Sequence, residues 1–234
     1  MQPDAKKHIE QRLLLFMSVD LAGSTAFKSK TVTEKIQPWL KVFVDFYHEF
    51  PTKLRGQYLA GKPDSKNPLK SPEMWKAIGD ELVFVAKIGN GGEVPEHLRH
   101  FRETVRYYRE IVQDVDAKLD LKATAWIAGF PVYNSAIFLP ETEQNGSKRE
   151  DYIGPSIDTG FRLGKVATSR RFVISVELAY LLASLQATTK HLNEFDFYYD
   201  GGVELKGVLS GFPYPVIWTD LHNPSELELS LIHI

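Results

Sequence analysis

Asp20 closes the apolar run RLLLFMSVD, and Asp80 stands in the Gly79-Asp80 step between two short apolar runs, Glu73 to Ile78 and Leu82 to Ile88. Two carboxylates at neighbouring strand ends suit a pair of hard divalent cations. Mg²⁺ or Mn²⁺ prefers carboxylate oxygens, keeps positions open for phosphate, and can bridge the attacking and leaving oxygens of a phosphoryl transfer. Either aspartate alone equally suits a turn or a cap, so the pair carries the chemistry. Directly after Asp20 comes the small-residue turn Leu21-Ala22-Gly23-Ser24-Thr25. If it opens into a helix, the backbone N–H groups at Gly23, Ser24 and Thr25 suit an anionic phosphate at the positive end of the dipole. The Gly-Lys-Ser/Thr signature of a Walker loop is absent.

The elements that would hold these residues can be read from periodicity. Leu13 to Val19 reads as a buried strand ending at Asp20. Apolar positions at helical spacing from about Thr33 to Phe50 (Ile36, Leu40, Phe43, Val44, Tyr47) predict a helix that Pro51 stops. Pro51 to Pro72, rich in Pro, Gly, Lys, Asn and Ser, reads as an insertion or long loop. The runs flanking Gly79-Asp80-Glu81 predict a hairpin with Asp80 exposed at its tip. Leu98, Phe101, Val105, Tyr108, Val112 and Val115 predict a long amphipathic helix from Pro95 to Leu119, on which His97 and His100 read as a solvated pair. Strand-like runs follow at Leu121 to Ala128 and Pro131 to Leu139, then a polar loop from Glu141 to Glu150. Beyond it, a helix is expected from Ser156 to Ala167, a strand from Arg171 to Ser175, and a helix from Val176 to Leu185. The tail reads as β-rich, at Phe195 to Tyr199, Val203 to Lys206 and Pro213 to Thr219. The order is βαββαβ, an α+β ferredoxin-like arrangement in which an antiparallel sheet carries its helices on one face.

With 234 residues, 43% of them hydrophobic, the chain suits a single domain with a sizeable core. Lys plus Arg number 28 against 30 Asp plus Glu, without the basic excess of a nucleic-acid or anionic-membrane binder. No apolar run is long enough to span a bilayer. The chain has no Cys, which excludes disulfides and thiolate metal sites and fits a reducing, cytoplasmic setting. The closing LSLIHI, residues 229 to 234, reads as the translation of a transposase mosaic end used in sequencing-library preparation, leaving residues 1 to 228 as the expected domain.

Four runs, FMSVDLAGSTAF, MWKAIGDELVF, DYIGPSIDTGFRL and VELKG, spread in order from Phe16 to Gly207, resemble successive motifs of the class III adenylate and guanylate cyclases. That resemblance implies a homodimer with active sites at the subunit interface, a nucleoside triphosphate substrate, and two divalent metal ions. Residue by residue, it implies metal binding by Asp20, Asp80 and the backbone carbonyl of Leu21. Lys76 and Asp151 fall where adenylate cyclases contact the base, Arg162 matches the arginine that steadies the transition state, and Lys206 resembles the lysine on the terminal phosphates. Asp158 departs from the pattern, standing where the family usually has a ribose-aligning Asn. Each also has a plainer reading: Lys76 as a solvated lysine, Asp151 as a turn cap, Arg162 as half of a surface ion pair.

The short chain, the WKAIGDELVF hairpin, the Pro51 to Pro72 insertion and Asp158 further resemble the bacterial pyrimidine cyclases of Pycsar antiphage defence. This implies cyclic UMP, ahead of cyclic CMP, as the product. Hydrogen bonding alone leaves the base open, because lysine and carboxylate can pair with uracil, cytosine or adenine. Tyr47, Phe50 and Trp75 read as core, while Phe46, Tyr47 and Phe50 are also candidates to narrow a base pocket. An adenylate cyclase and a catalytically inactive nucleotide-sensing homologue are the alternatives. A diguanylate cyclase is disfavoured, because the hairpin reads Ile78-Gly79-Asp80-Glu81-Leu82 and not Gly-Gly-Asp/Glu-Glu-Phe.

Overall fold

The computed structural model describes residues 11–30, 38–60, 69–138, 150–188 and 195–221. The first apolar run forms β1 (Arg12–Ala22), in which every residue from Leu14 to Val19 is buried. A strand reads as continuously apolar when both faces of its sheet are covered. Helices α1 (Ser24–Lys30) and α2 (Pro38–Leu59) follow, then the hairpin β2 (Glu73–Ile78) and β3 (Glu81–Ile88), helix α3 (Glu93–Val115) and β4 (Asp120–Phe130). Beyond this βαββαβ unit lie β5 (Ser135–Phe138), β6 (Glu150–Ile153), α4 (Pro155–Leu163), β7 (Arg171–Ile174), α5 (Val176–Thr188), β8 (Tyr198–Val203) and β9 (Tyr214–Asp220). The main sheet runs β2-β3-β1-β4-β7-β9-β8, antiparallel throughout except where β4 meets β7. Strands β5 and β6 form a separate two-stranded sheet.

Alternation along β1 sorts the core into two layers. Leu15, Met17, Val19 and Leu21 face the long helices, packing with Phe46 and Phe50 of α2, Phe101 and Tyr108 of α3 and Leu178 of α5. Leu14 and Phe16 face the other way, into a cluster with Trp75, Val83, Trp126 and Ile157 of the short helix α4. There Phe16 lies parallel to Trp126 at 5.4 Å between ring centres. Gly160 of α4 rests on the same indole, since a Cβ added there would fall 2.1 Å from it.

Several boundaries differ from the sequence reading. Helix α2 runs through Pro51 to Leu59, so the first part of the expected loop is helical, and residues 61–68 lie outside the described residues. Proline in a helix costs about 3 kcal/mol, but the apolar stripe continues across it. Phe50 and Leu54 are both fully buried, each worth about 2–3 kcal/mol, which together exceeds that cost. Helices α3 and α4 end earlier than expected, at Val115 and Leu163. Segment 204–206 is not a strand; Leu205 anchors it in a third apolar cluster with Leu163, Val208 and Trp218. LSLIHI lies outside the described residues.

The extension of α2 beyond Pro51 also overturns the reading of His97 as solvated. His97 is buried, and the Tyr58 hydroxyl lies 2.7 Å from its Nδ1. Burial pushes the imidazole down to about 4, with His100 adding to the shift and Glu93 and Glu96 opposing it. A histidine in the unfolded chain binds its proton near pH 6.5. Between these values the unfolded state holds more protons, so this contribution to stability is complete above about pH 6.5 and is lost as pH falls toward 4. Denaturant unfolding at pH 7 and pH 4.5 should therefore show a smaller loss of stability in His97→Gln than in the native chain, by on the order of 2 kcal/mol. Equal losses would mean the imidazole is not held neutral.

Candidate active site

The hairpin and β1 bring the two aspartates together as expected. Asp20 pairs in register with Glu81 of β3 on one side and Lys122 of β4 on the other. Gly79, at a φ of +63°, makes the tight turn with Asp80, and the backbone amide of Leu21 donates to the Asp80 carbonyl at 3.1 Å. That bond pins the end of β1 to the hairpin tip. The buried Ser24 hydroxyl donates to the Asp80 carboxylate, and the Tyr47 hydroxyl donates to the Gly79 carbonyl. Gly23, between β1 and α1, has a φ of +83°, and a Cβ there would meet the Lys118 carbonyl oxygen at 2.4 Å, so only glycine fits.

Asp20 is not an exposed strand-tip residue. It lies within β1, with its side chain only 23% exposed, and Lys122 Nζ sits 2.7 Å from its Oδ2. Its Oδ1 is buried without a hydrogen-bond partner among the described residues. Burial raises the carboxyl above its ordinary range, opposed chiefly by the Lys122 ammonium and reinforced by Asp80. Beside it, Glu81 accepts from the Ser18 hydroxyl and is raised in the same way, first by burial. No group of three or more His, Cys, Asp or Glu converges on one point among the described residues. The donors are all oxygen, and an orphaned Oδ1 on a carboxylate that already gathers a cation fits Mg²⁺ or Mn²⁺.

Lys76 and Asp151, far apart in sequence, form an ion pair, with Nζ 2.6 Å from Oδ1. Asp151 belongs to strand β6 and not to a loop end, and the Lys76 ammonium also lies 4.5 Å from the centre of the Trp75 ring. Trp75 itself is core, as expected. Phe46 and Phe50 are fully buried beneath the helix-covered face of the sheet, which removes them as walls of a base pocket.

Asp158 and Arg162 occupy successive turns of α4, where Arg162 Nη1 donates to the Asp158 carbonyl at 3.0 Å. Gly207 follows Lys206 at a φ of +75°, and a Cβ added there would lie 3.7 Å from Arg162 Nη2. The loop carrying Lys206 and the end of α4 are thus neighbours. Asp158, Thr159, Ser175, Glu177, Gly207 and Tyr214 line a cavity of about 280 Å³. The chain therefore presents three groupings: the aspartates, the Lys76 and Asp151 pair, and the Arg162, Asp158 and Lys206 corner. No hydrogen bond or ion pair joins the aspartates to the arginine corner among the described residues. Sequence reasoning missed Lys122, Glu81 and Ser18. Only the register of β3, β1 and β4 aligns Glu81 and Lys122 with Asp20, and Ser18 reaches the row through its bond to Glu81.

This is the fold of class III nucleotide cyclase catalytic domains. The adenylyl cyclase CyaB from P. aeruginosa superposes with a TM-score of 0.65 at 12% identity, over 92% of this chain and 97% of that one. The guanylate cyclase domain of RhGC from Catenaria anguillulae, solved in complex with GTP, gives 0.59 at 11% identity, over 90% and 97%. The dimeric guanylyl cyclase domain of the RhoGC fusion protein from Blastocladiella emersonii gives 0.58 at 12% identity, also over 90% and 97%. No protein-family model matches the sequence, and no curated protein matches it.

Proposed function

We propose that this chain is a nucleotide cyclase that converts a nucleoside triphosphate, UTP in preference, to its 3′,5′-cyclic monophosphate and pyrophosphate, as a second-messenger synthase in antiphage defence. The observation that carries the reading is the pinning of Asp20 to Asp80, by the Leu21 amide and the Ser24 hydroxyl, on a cyclase fold. Asp20, Asp80 and the Leu21 carbonyl would hold two divalent ions, Mn²⁺ or Mg²⁺. The chemistry those ions supply when bound is acidification of the 3′-hydroxyl and neutralisation of the departing pyrophosphate. The 3′-oxygen attacks the α-phosphorus, the bond to pyrophosphate breaks, and the hydroxyl proton passes to solvent. Arg162 would stabilise charge developing at the phosphorus, Lys206 and the Gly23-Ser24-Thr25 turn the phosphates, and Asp158 the ribose.

One chain holds these parts in separate groupings, which supports a homodimer with shared sites. Exposed apolar side chains beside β5 and β6, among them Val132, Tyr133, Phe138 and Ile153, supply a surface that a second copy would cover. Among the similar structures, the guanylyl cyclase domain from Blastocladiella emersonii is described both as a non-canonical dimer and as a monomer.

The Lys76 and Asp151 pair offers a donor beside an acceptor, which fits the carbonyl and ring N–H of uracil. It fits the ring nitrogen and amine of adenine as well, so adenylate cyclase is the second reading, and the preference for UTP rests on the resemblance to pyrimidine cyclases. Turnover of ATP, GTP, CTP and UTP measured in parallel with Mn²⁺ should be fastest with UTP. A clear preference for ATP would assign the chain to cyclic AMP synthesis.

A further inference from the structure

We infer that Lys122 is a built-in counter-cation that opposes a divalent ion at Asp20, so that this lysine sets the metal concentration at which the site loads. The inference rests on the proposed cyclase reading and adds a residue that reading does not use. Glu81, Asp20 and Lys122 stand in one row across β3, β1 and β4. All three sit toward the same side of the sheet as Phe16 and Trp126, because residues two and four apart along a strand share a face. Asp80 adds a further carboxylate at the hairpin tip, and its charge raises both Asp20 and Glu81. Within this acidic row Ser18 holds Glu81 and Ser24 holds Asp80, while the cation on Asp20 is the Lys122 ammonium, 2.7 Å from Oδ2.

Lys122 sits on Oδ2, so the oxygen open to a divalent ion is the orphaned Oδ1, and both cations would then stand on one carboxylate. Their like charges repel, and the ammonium has no lone pair to offer a metal. Lys122 is 29% exposed, so its flexible stem can swing the charge toward solvent once a metal arrives. With the lysine in place, Asp20 keeps a partner when no metal is bound, which matters for a carboxylate whose other oxygen is buried and orphaned. Metal loading then works against the ammonium's charge, and the affinity measured for the ion is reduced by that repulsion or by the free energy of turning the lysine away.

Direct binding of Mn²⁺ to the full chain without nucleotide, followed by the paramagnetic resonance signal of the free ion, tests this without any turnover. Lys122→Met, which keeps the stem and removes the charge, should bind Mn²⁺ about tenfold more tightly than the native chain. Lys122→Gln should do the same, and serves if the methionine variant folds poorly. Lys122→Arg should retain weak binding. Asp20→Asn distinguishes the role of Lys122 from the metal site itself. If Asp20→Asn weakens Mn²⁺ binding while both neutral lysine variants bind as the native chain does, or more weakly, the role of Lys122 is wrong and the metal site stands. If Asp20→Asn leaves Mn²⁺ binding unchanged, the metal assignment fails and the inference about Lys122 fails with it.

Discussion

Asp20→Asn and Asp80→Asn should each lower the rate of cyclic nucleotide formation by at least about 10³-fold while leaving the unfolding transition nearly in place. Asparagine keeps the shape of the carboxylate and removes the charge that would hold a metal. The two substitutions differ in their structural cost. Asp80 lies at a turn, where Ser24 can donate to an amide oxygen as it does to a carboxylate. Asp20 is mostly buried and paired with Lys122, so its replacement leaves an ammonium without its partner but also relieves the burial of a charge, and the two effects oppose each other. Product formation followed by mass spectrometry, beside a thermal unfolding curve for each variant, separates lost chemistry from lost fold. Undiminished turnover in either variant would contradict the metal assignment.

Activity should return when two dead variants are combined. Asp80→Ala removes one grouping of the proposed shared site and Arg162→Ala another, and no hydrogen bond or ion pair links those groupings within one chain among the described residues. In a symmetric dimer with two composite sites, a heterodimer of these variants carries one site with both defects and one with neither. After random exchange at equal concentrations half the dimers are mixed, so about a quarter of native activity is expected. The measurement is turnover after denaturation and joint refolding, with heterodimers counted through two different affinity tags. Silence from a preparation in which heterodimers are demonstrably present would contradict shared sites.

The parts of this account legible in the sequence are those set by local chemistry. Asp80 could be placed because a Gly-Asp step between apolar runs specifies a tight hairpin, and β1 because an uninterrupted apolar run ending in a charge specifies a strand covered on both faces. The long helix α3 followed from its spacing. What local rules missed was decided by tertiary packing. Local rules make Pro51 a stop because a proline removes one backbone bond, whereas Phe50 and Leu54 bury enough surface to carry the helix through it. The burial of His97 has the same origin, since Tyr58 lies on the stretch of α2 beyond Pro51. Lys122 carries no motif; its place opposite Asp20 exists only once β4 is in register with β1. The resemblance puts Lys76 and Asp151 each at the base, and the ion pair between them is a product of the fold, which joins β2 to β6.

The most direct measurement is the identity of what the purified chain makes from UTP and Mn²⁺, with mass spectrometry and phosphorus resonance read on the same reaction. The account predicts 3′,5′-cyclic UMP and pyrophosphate in equal amounts, with no inorganic phosphate released. Absence of turnover with UTP and with each of the other three ribonucleotides, or release of inorganic phosphate and a linear nucleotide instead, would contradict it.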